Sequence, residues 1–513
     1  MLEQEHKFEV ESDFVLPNLA GVKGVTEVGE PIEQTLESTY FDTPDHRLAG
    51  AGVTVRRRTG GDDAGWHAKL PSAVEPGARH EIRVGLGRAV RTVPKRLRVT
   101  VSGLAGAQPL VPLATLTTRR TLRRLLDDEG VLLAEVADDE VEATAVVDPD
   151  DEEGGRPLSQ WREIEVELVD VDADVVARVG RRLVKAGATP SPRRSKLDGV
   201  LGGPAAEPAP PTRPRDRVHT LVQDRLATQL DVLRRRDPLA RENLPEGVHT
   251  MRVAVRRLQS ALATFRPFLD RSVTDPLRDE LKWLSHALGD ARDAEVRRER
   301  LDAAIDALVA ERPELDWDEE RVRPVLWSSL VARHAAALNA LTEVLTSDRY
   351  AALLDRLREL VAEPPWTDRA TKRVRGAYLR RVQRELRRLR RRVAAADDST
   401  LSPEGRAHAL HQARKAAKRA RYAVEPLRPI YGSSAATLTK RLKMLQSALG
   451  QHQDTVVTRT YLLVLTRSTN SEIDPGAALV AGALVEREAL ASQRYEQRAA
   501  KAWQKVSGSP LPE

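Results

Sequence analysis

The chain has 513 residues, 41% hydrophobic and 31% charged, which is too long for one core and too apolar for disorder. It contains no cysteine, so disulfides, thiolate catalysis and cysteine-ligated zinc are excluded and a reducing cytoplasm is the expected compartment. The net charge of +6 is unevenly spread: residues 1–198 hold 27 Lys/Arg against 35 Asp/Glu, giving −8, and the remainder carries +14. A basic half implies a polyanionic partner, while 4% aromatics offers few stacking platforms for single-stranded nucleic acid. A bare phosphate chain, duplex DNA or an anionic surface remain.

The opening MLEQEHKFEV has no apolar leader, so no signal peptide is expected. From there to residue 198, short runs alternate at period two: Glu3-x-Glu5-x-Lys7, Val53-x-Val55, His80 to Val84, Val131 to Val136 and Glu163 to Leu168. Turn clusters such as Gly60-Gly61-Asp62-Asp63 separate them, and Asp172 to Ala186 has the period of a helix packed outside a sheet. Glu3, Glu5 and Lys7 share one strand face, as do Glu163, Glu165 and Glu167, Arg56 and Arg58, and Arg79, Glu81 and Arg83. Taken singly, each is an ordinary solvated face. Together, acidic strands can hold a hard divalent cation while basic strands cradle phosphate oxygens, and metal-assisted phosphoryl transfer needs both in one cavity.

Residues 199–216 are rich in Pro, Gly and Ala without periodicity and read as a linker. Beyond it, residues 217–508 follow a helical period almost throughout, with Pro238, Pro267, Pro276 and Pro324 expected at helix edges. The longest apolar run, Ala477 to Val485, falls far short of the roughly 20 residues that span a bilayer, so no membrane insertion is expected. An internal repeat runs through this half. His249, Arg252, Arg256 and Arg257 match His411, Arg414, Lys418 and Arg419, and further on Lys282 matches Lys443 and Asp293 matches Asp454. At i, i+3, i+7 and i+8 each basic set forms one stripe, with Lys415 and Arg421 beside the second. The stretch 371–392 adds eleven basic residues against Glu385 alone. Like charges this dense repel unless anions neutralise them.

The order Glu3-x-Glu5-x-Lys7, Arg56-x-Arg58, Lys69, Arg79-x-Glu81, Arg119, Glu135-x2-Asp138, the late glutamates and Lys196 resembles the CYTH family of triphosphate tunnel metalloenzymes. The two stripes, with Lys282 and Lys443, resemble the CHAD family of conserved-histidine α-helical domains. The resemblance implies an eight-stranded antiparallel β tunnel over 1–198, followed by an all-α domain of two pseudo-symmetric bundles over 217–508. In the tunnel it implies Mg²⁺ or Mn²⁺ on Glu3, Glu5, Glu165 and Glu167. A triphosphate would sit on Lys7, Arg56, Arg58, Lys69, Arg79, Arg119 and Lys196, with Glu81, Asp138 and Lys7 in catalytic roles. Arg83 departs from the family, where many members have another carboxylate. In the helical domain the resemblance implies inorganic polyphosphate binding by His249, Arg252, Arg256, Arg257, Lys282, His411, Arg414, Lys415, Lys418, Arg419, Arg421 and Lys443. The expected whole is a cytoplasmic, granule-associated protein that captures polyphosphate and hydrolyses tripolyphosphate or chain ends. A non-catalytic polyphosphate sensor and a nucleotide cyclase are the alternatives.

Overall fold

Period-two alternation in the first half becomes an antiparallel sheet of eleven strands: β1 (Leu2–Glu3), β2 (Glu5–Val10), β3 (Glu27–Val28), β4 (Ile32–Asp42), β5 (Thr54–Thr59), β6 (Gly65–Pro71), β7 (Arg79–Val84), β8 (Val111–Leu126), β9 (Leu132–Ala145), β10 (Pro157–Leu168) and β11 (Thr189–Pro190). The computed structural model describes residues 2–75, 77–145, 157–169, 173–201, 216–312, 318–467 and 475–509, which include a small part of the expected linker. Two units result, Met1–Pro211 with Arg234–Gly247, and Thr212–Leu233 with Val248–Glu513.

The ladders run β1-β7-β6-β5-β4-β8-β9-β10-β2-β11, an open path of ten strands, with β3 added to β8. Its near-ends belong to one stretch of chain. β1 pairs with β7 through Glu3↔Arg79, and one residue later β2 pairs with β10 through Glu5↔Glu167 and Lys7↔Glu165. Segment 2–10 therefore stands between both flanks of the sheet and curls it round an interior. The expected eight strands become eleven because that segment breaks at Gln4 and the two-residue β3 and β11 are added.

Outward side chains are apolar and covered by helices. Val53, Val55, Trp66 and Leu70 pack with Leu97 and Val101 of α2 (Lys95–Ala105), and Phe8, Val136, Ile164 and Val166 with Val176, Val179 and Leu183 of α3 (Ala173–Lys185). A third cluster lies on the inner face and joins Tyr40, Leu116, Val141 and Ala143 to Ala49 of α1 (Arg47–Gly50) and Leu197 of α4 (Lys196–Val200). Buried Asp42 fixes α1 by accepting from the amides of Leu48 and Ala49 at 2.9 and 2.8 Å. The last turns of α5 (Val218–Arg241) belong to this unit: Leu239 joins the α2 cluster, and a Cβ on Gly103 would collide with the Asp237 carboxylate.

The second unit is helical: α6 (Gly247–Thr264), α7 (Arg271–Glu311), α8 (Glu319–Thr346), α9 (Asp348–Ala362), α10 (Val374–Ala394), α11 (Pro403–Val424), α12 (Arg428–Arg467, kinked at Gly432) and α13 (Pro475–Ser507). The sequence repeat reappears as α6–α7–α8 and α11–α12–α13. Leu301 and Ile305 of α7, Leu326 and Leu330 of α8, Leu462 of α12, and Val480 and Leu484 of α13 close one shared core. Pro238, Pro276 and Pro324 lie inside α5, α7 and α8 rather than at their edges. Each sits within about two turns of a helix end, where only one amide hydrogen bond is given up.

Candidate functional site

Inside the sheet, alternate residues bring charge from both ends of the sequence together. Glu3, Glu5, Lys7, Arg56, Arg58, Lys69, Arg79, Glu81, Arg120, Glu165, Glu167 and Lys196 all line one cavity. The ion pairs are short and multiple. Lys7 bonds Glu165 and lies 3.3 Å from Glu5, Lys69 is 2.6 Å from Glu3, and Arg58 is 2.8 Å from Asp63. Lys196 Nζ, carried in by α4, meets three carboxylates: Glu165 at 2.6 Å, Glu163 at 2.7 Å and Asp139 at 2.9 Å.

Burial pushes the Glu5 carboxyl up, but Lys7 and Lys69 outweigh it and hold it at about 2. Glu165 is also held well below the carboxylate range, Lys196, Lys7 and Arg120 overcoming burial. Burial would lower the Lys7 and Lys196 ammonium groups, and their carboxylates raise them instead. Glu167 goes the other way: burial, then the neighbouring Glu3, push it up to about 7.

Asp139, Glu163 and Glu165 have oxygens within 4.8 Å of one another, a spacing a metal ion can bridge. Lys196 already supplies a cation to all three. Glu167 makes no ion pair among the described residues and stands near Glu3 and Glu5, which are paired with Lys69 and Lys7. That donor chemistry suits a hard divalent cation.

Two positions differ from expectation by one residue. Arg119 is exposed on the outer face, and Arg120 points inward, 2.7 Å from Asp139 and 2.8 Å from Glu165. Asp138 faces outward to Arg162 at 2.8 Å, and Asp139 is its inward neighbour. The cause is the strict alternation of a strand: a one-residue slip exchanges faces. Glu81 is pinned by His67 Nδ1 at 2.9 Å and by Arg83, an orienting position. His67, Asp63 and Tyr40 are further members the sequence reading did not single out.

In the helical unit the stripes of α6 and α11 meet. The charges of Arg252, Arg256 and Arg414 fall on Lys418, whose ammonium group is lowered to about 6, first by burial and then by those arginines. Asp293 takes Arg252 at 2.7 Å, and Asp454 stands near Arg414 and Lys418. His411 is lowered by burial and by Lys415. His249 lies half-buried on α6 and Lys415 is exposed on α11. Other members fall elsewhere. Arg257 and Arg421 approach Glu425 at 3.6 and 3.4 Å, Arg419 lies by Arg388, Lys282 is exposed on α7, and Lys443 lines a groove between α12 and α13.

A charged β tunnel followed by a repeated helical domain with a basic face defines the class. The CYTH domain model matches residues 1–190 and the CHAD domain model residues 224–463. An uncharacterized protein of Mycobacterium tuberculosis strain H37Rv is 35% identical over 518 residues, covering 98% of this chain and 96% of that one. The chain belongs to the CYTH–CHAD proteins. Among solved structures it is similar to PptA from Streptomyces chartreusis, at 25% identity and TM-score 0.47 over 56% of this chain and 99% of that one. It is also similar to the CHAD domain from the plant Ricinus communis, at 23% identity and TM-score 0.43 over 60% and 99%. No helix among the described residues is long and apolar enough to cross a membrane.

Proposed function

We propose that the protein binds inorganic polyphosphate on its helical face and hydrolyses triphosphate or chain ends in the tunnel with Mg²⁺ or Mn²⁺. The observation that carries this reading is the convergence of carboxylates and phosphate-binding cations on one cavity. Lys7, Arg56, Arg58, Lys69 and Arg120 bind and align phosphate oxygens, arginine by paired hydrogen bonds. Glu3, Glu5 and Glu167 would hold the divalent ion, which supplies charge neutralisation and an acidified water when bound. Glu81, fixed by His67 and Arg83, keeps Arg56 in place at 3.8 Å.

A second reading, a sensor that binds without turnover, is favoured by Arg83, which reaches Glu3 at 3.6 Å as well as bonding Glu81 and so competes for the carboxylates. Phosphate release from tripolyphosphate, long-chain polyphosphate and ATP, each with and without Mg²⁺, separates the two. Metal-dependent release supports the hydrolase; tight binding with no release under any divalent ion supports the sensor.

A further inference from the structure

Within the second unit, α12 and α13 pack along each other and leave an open groove of about 570 Å³ between them. α12 faces it with Lys440, Lys443, Met444 and Ala448, at i, i+3, i+4 and i+8, one side of the helix. α13 faces it with Arg498, Lys501, Ala502 and Lys505, at i, i+3, i+4 and i+7. Five of the lining side chains are cations and none is a carboxylate. None of the five is in an ion pair among the described residues, and Arg498 lies 5.4 Å from the centre of the Tyr495 ring. The sequence gives the reason: residues 428–453 and 497–507 contain no Asp or Glu, so no carboxylate stands at helical reach of any of these cations. Between them the surface is apolar. Ala448 and Ala502 are buried and short enough to leave a trough, and Met444 beside them stays 44% exposed. Lysine stems extend such a surface while their ammonium groups remain in water. Lys443, which the resemblance gives to polyphosphate, belongs to this groove.

We propose that this groove docks an acidic amphipathic helix of a partner protein, a role independent of the hydrolase reading above. The wall from Lys440 to Gln451 runs about 16 Å, three helical turns, over which such a helix repeats its apolar seam at i, i+3, i+4 and i+7. That seam meets Met444, Ala448 and Ala502, methionine adapting its shape to what covers it. Carboxylates flanking the seam meet the lysines of both walls, which have no carboxylate of their own. A bare phosphate chain would use the charge and leave Met444 in water, and a flat membrane surface does not enter a concave groove.

The test titrates the full chain into a fluorescein-labelled synthetic peptide of about eighteen residues, five helical turns, with leucine along one seam and glutamate on both flanks. A scrambled peptide of the same composition is the control, and fluorescence anisotropy reads binding. The ordered peptide should bind about tenfold or more tighter than the scrambled one. Lys443→Glu/Lys501→Glu should weaken it by about tenfold or more, Met444→Ser by about fivefold, and Arg252→Ala/Arg414→Ala not at all. Thermal unfolding checks that each variant is folded. Absent binding, equal binding of the two peptides, or no effect of either groove variant overturns the proposal. So does a dimer of the free chain that Lys443→Glu/Lys501→Glu dissociates, which gives the groove to a second copy. Sedimentation with phosphatidylglycerol vesicles that the same variant abolishes gives it to a membrane and overturns the helix as well.

Discussion

The tunnel and the helical face both gather basic side chains, and they solve the resulting repulsion in opposite ways. In the tunnel two strongly buried cations are ringed by carboxylates: Lys196 has three within 2.9 Å, and Arg120 has Asp139 and Glu165. Their charges are fixed, and the cavity is organised before any ligand enters. On the helical face Lys418 stands among Arg252, Arg256 and Arg414, and although Asp293 pairs with Arg252 and Asp454 lies nearby, its ammonium group stays lowered. That face is frustrated, and an anion relieves it. Neutralised charge buys geometry, while unneutralised charge stores affinity for a polyanion.

The sharpest way to break this contrast is at Lys196. It is 5% exposed, and Lys196→Met would leave three buried carboxylates sharing Arg120 and Lys7. Breaking a buried ionic group by removing one partner costs about 3–5 kcal/mol, so the first unit should unfold at a markedly lower temperature. An unchanged melting profile would mean that the network contributes nothing net. Next in size, Glu5→Gln and Glu167→Gln should each abolish metal-dependent phosphate release while the circular dichroism spectrum stays native, because they remove metal ligands but little buried apolar area. Wild-type turnover in both would remove these residues from the metal site.

On the helical face, single contacts matter less because many cations share the anion. Arg252→Ala with Arg414→Ala should weaken long-chain polyphosphate binding by about tenfold or more, each charge-assisted contact being worth roughly 1.5–3 kcal/mol. The dependence on salt should flatten too, since fewer counterions are released. Titration at two salt concentrations reads both effects. Unchanged affinity would move the chain to the exposed arginines of α10, such as Arg380, Arg384 and Arg387.

The strand faces and the repeat were legible because each is a local periodicity: Glu3, Glu5 and Lys7 need only a count of two, and His249 with His411 only an offset. Arg120 and Asp139 were not. Basic neighbours Arg119 and Arg120, and acidic neighbours Asp138 and Asp139, read alike in one dimension, and only the pairing register assigns faces. The buried row Ala114–Leu116–Thr118 leading to Arg120 held the signal, weakened by so polar an interior. His67 escaped because its role is to hold Glu81, a contact across two strands. The turns of α5 that join the first unit carry no local mark of their destination, since Leu239 reads as any helix core position.

The smallest expected effect is also the most specific to the frustrated face. Lys418, held at about 6 by burial and then by Arg414, Arg256 and Arg252, is mostly neutral at pH 8 in the free protein. A bound phosphate oxygen favours the charged ammonium and raises that value, so binding takes up a proton wherever the pH lies above about 6. The sign follows: the association constant falls as pH rises from 6 towards 8, by at most about tenfold per pH unit for one proton. Asp454, raised by burial, and His411, lowered by burial, both face this cluster, so the Lys418→Met variant is needed to single out the lysine. Isothermal titration in two buffers of different ionisation enthalpy at pH 7.5 should register proton uptake by the wild type and much less by Lys418→Met. Equal uptake in both would place the depressed group elsewhere and leave the helical face no more frustrated than the tunnel.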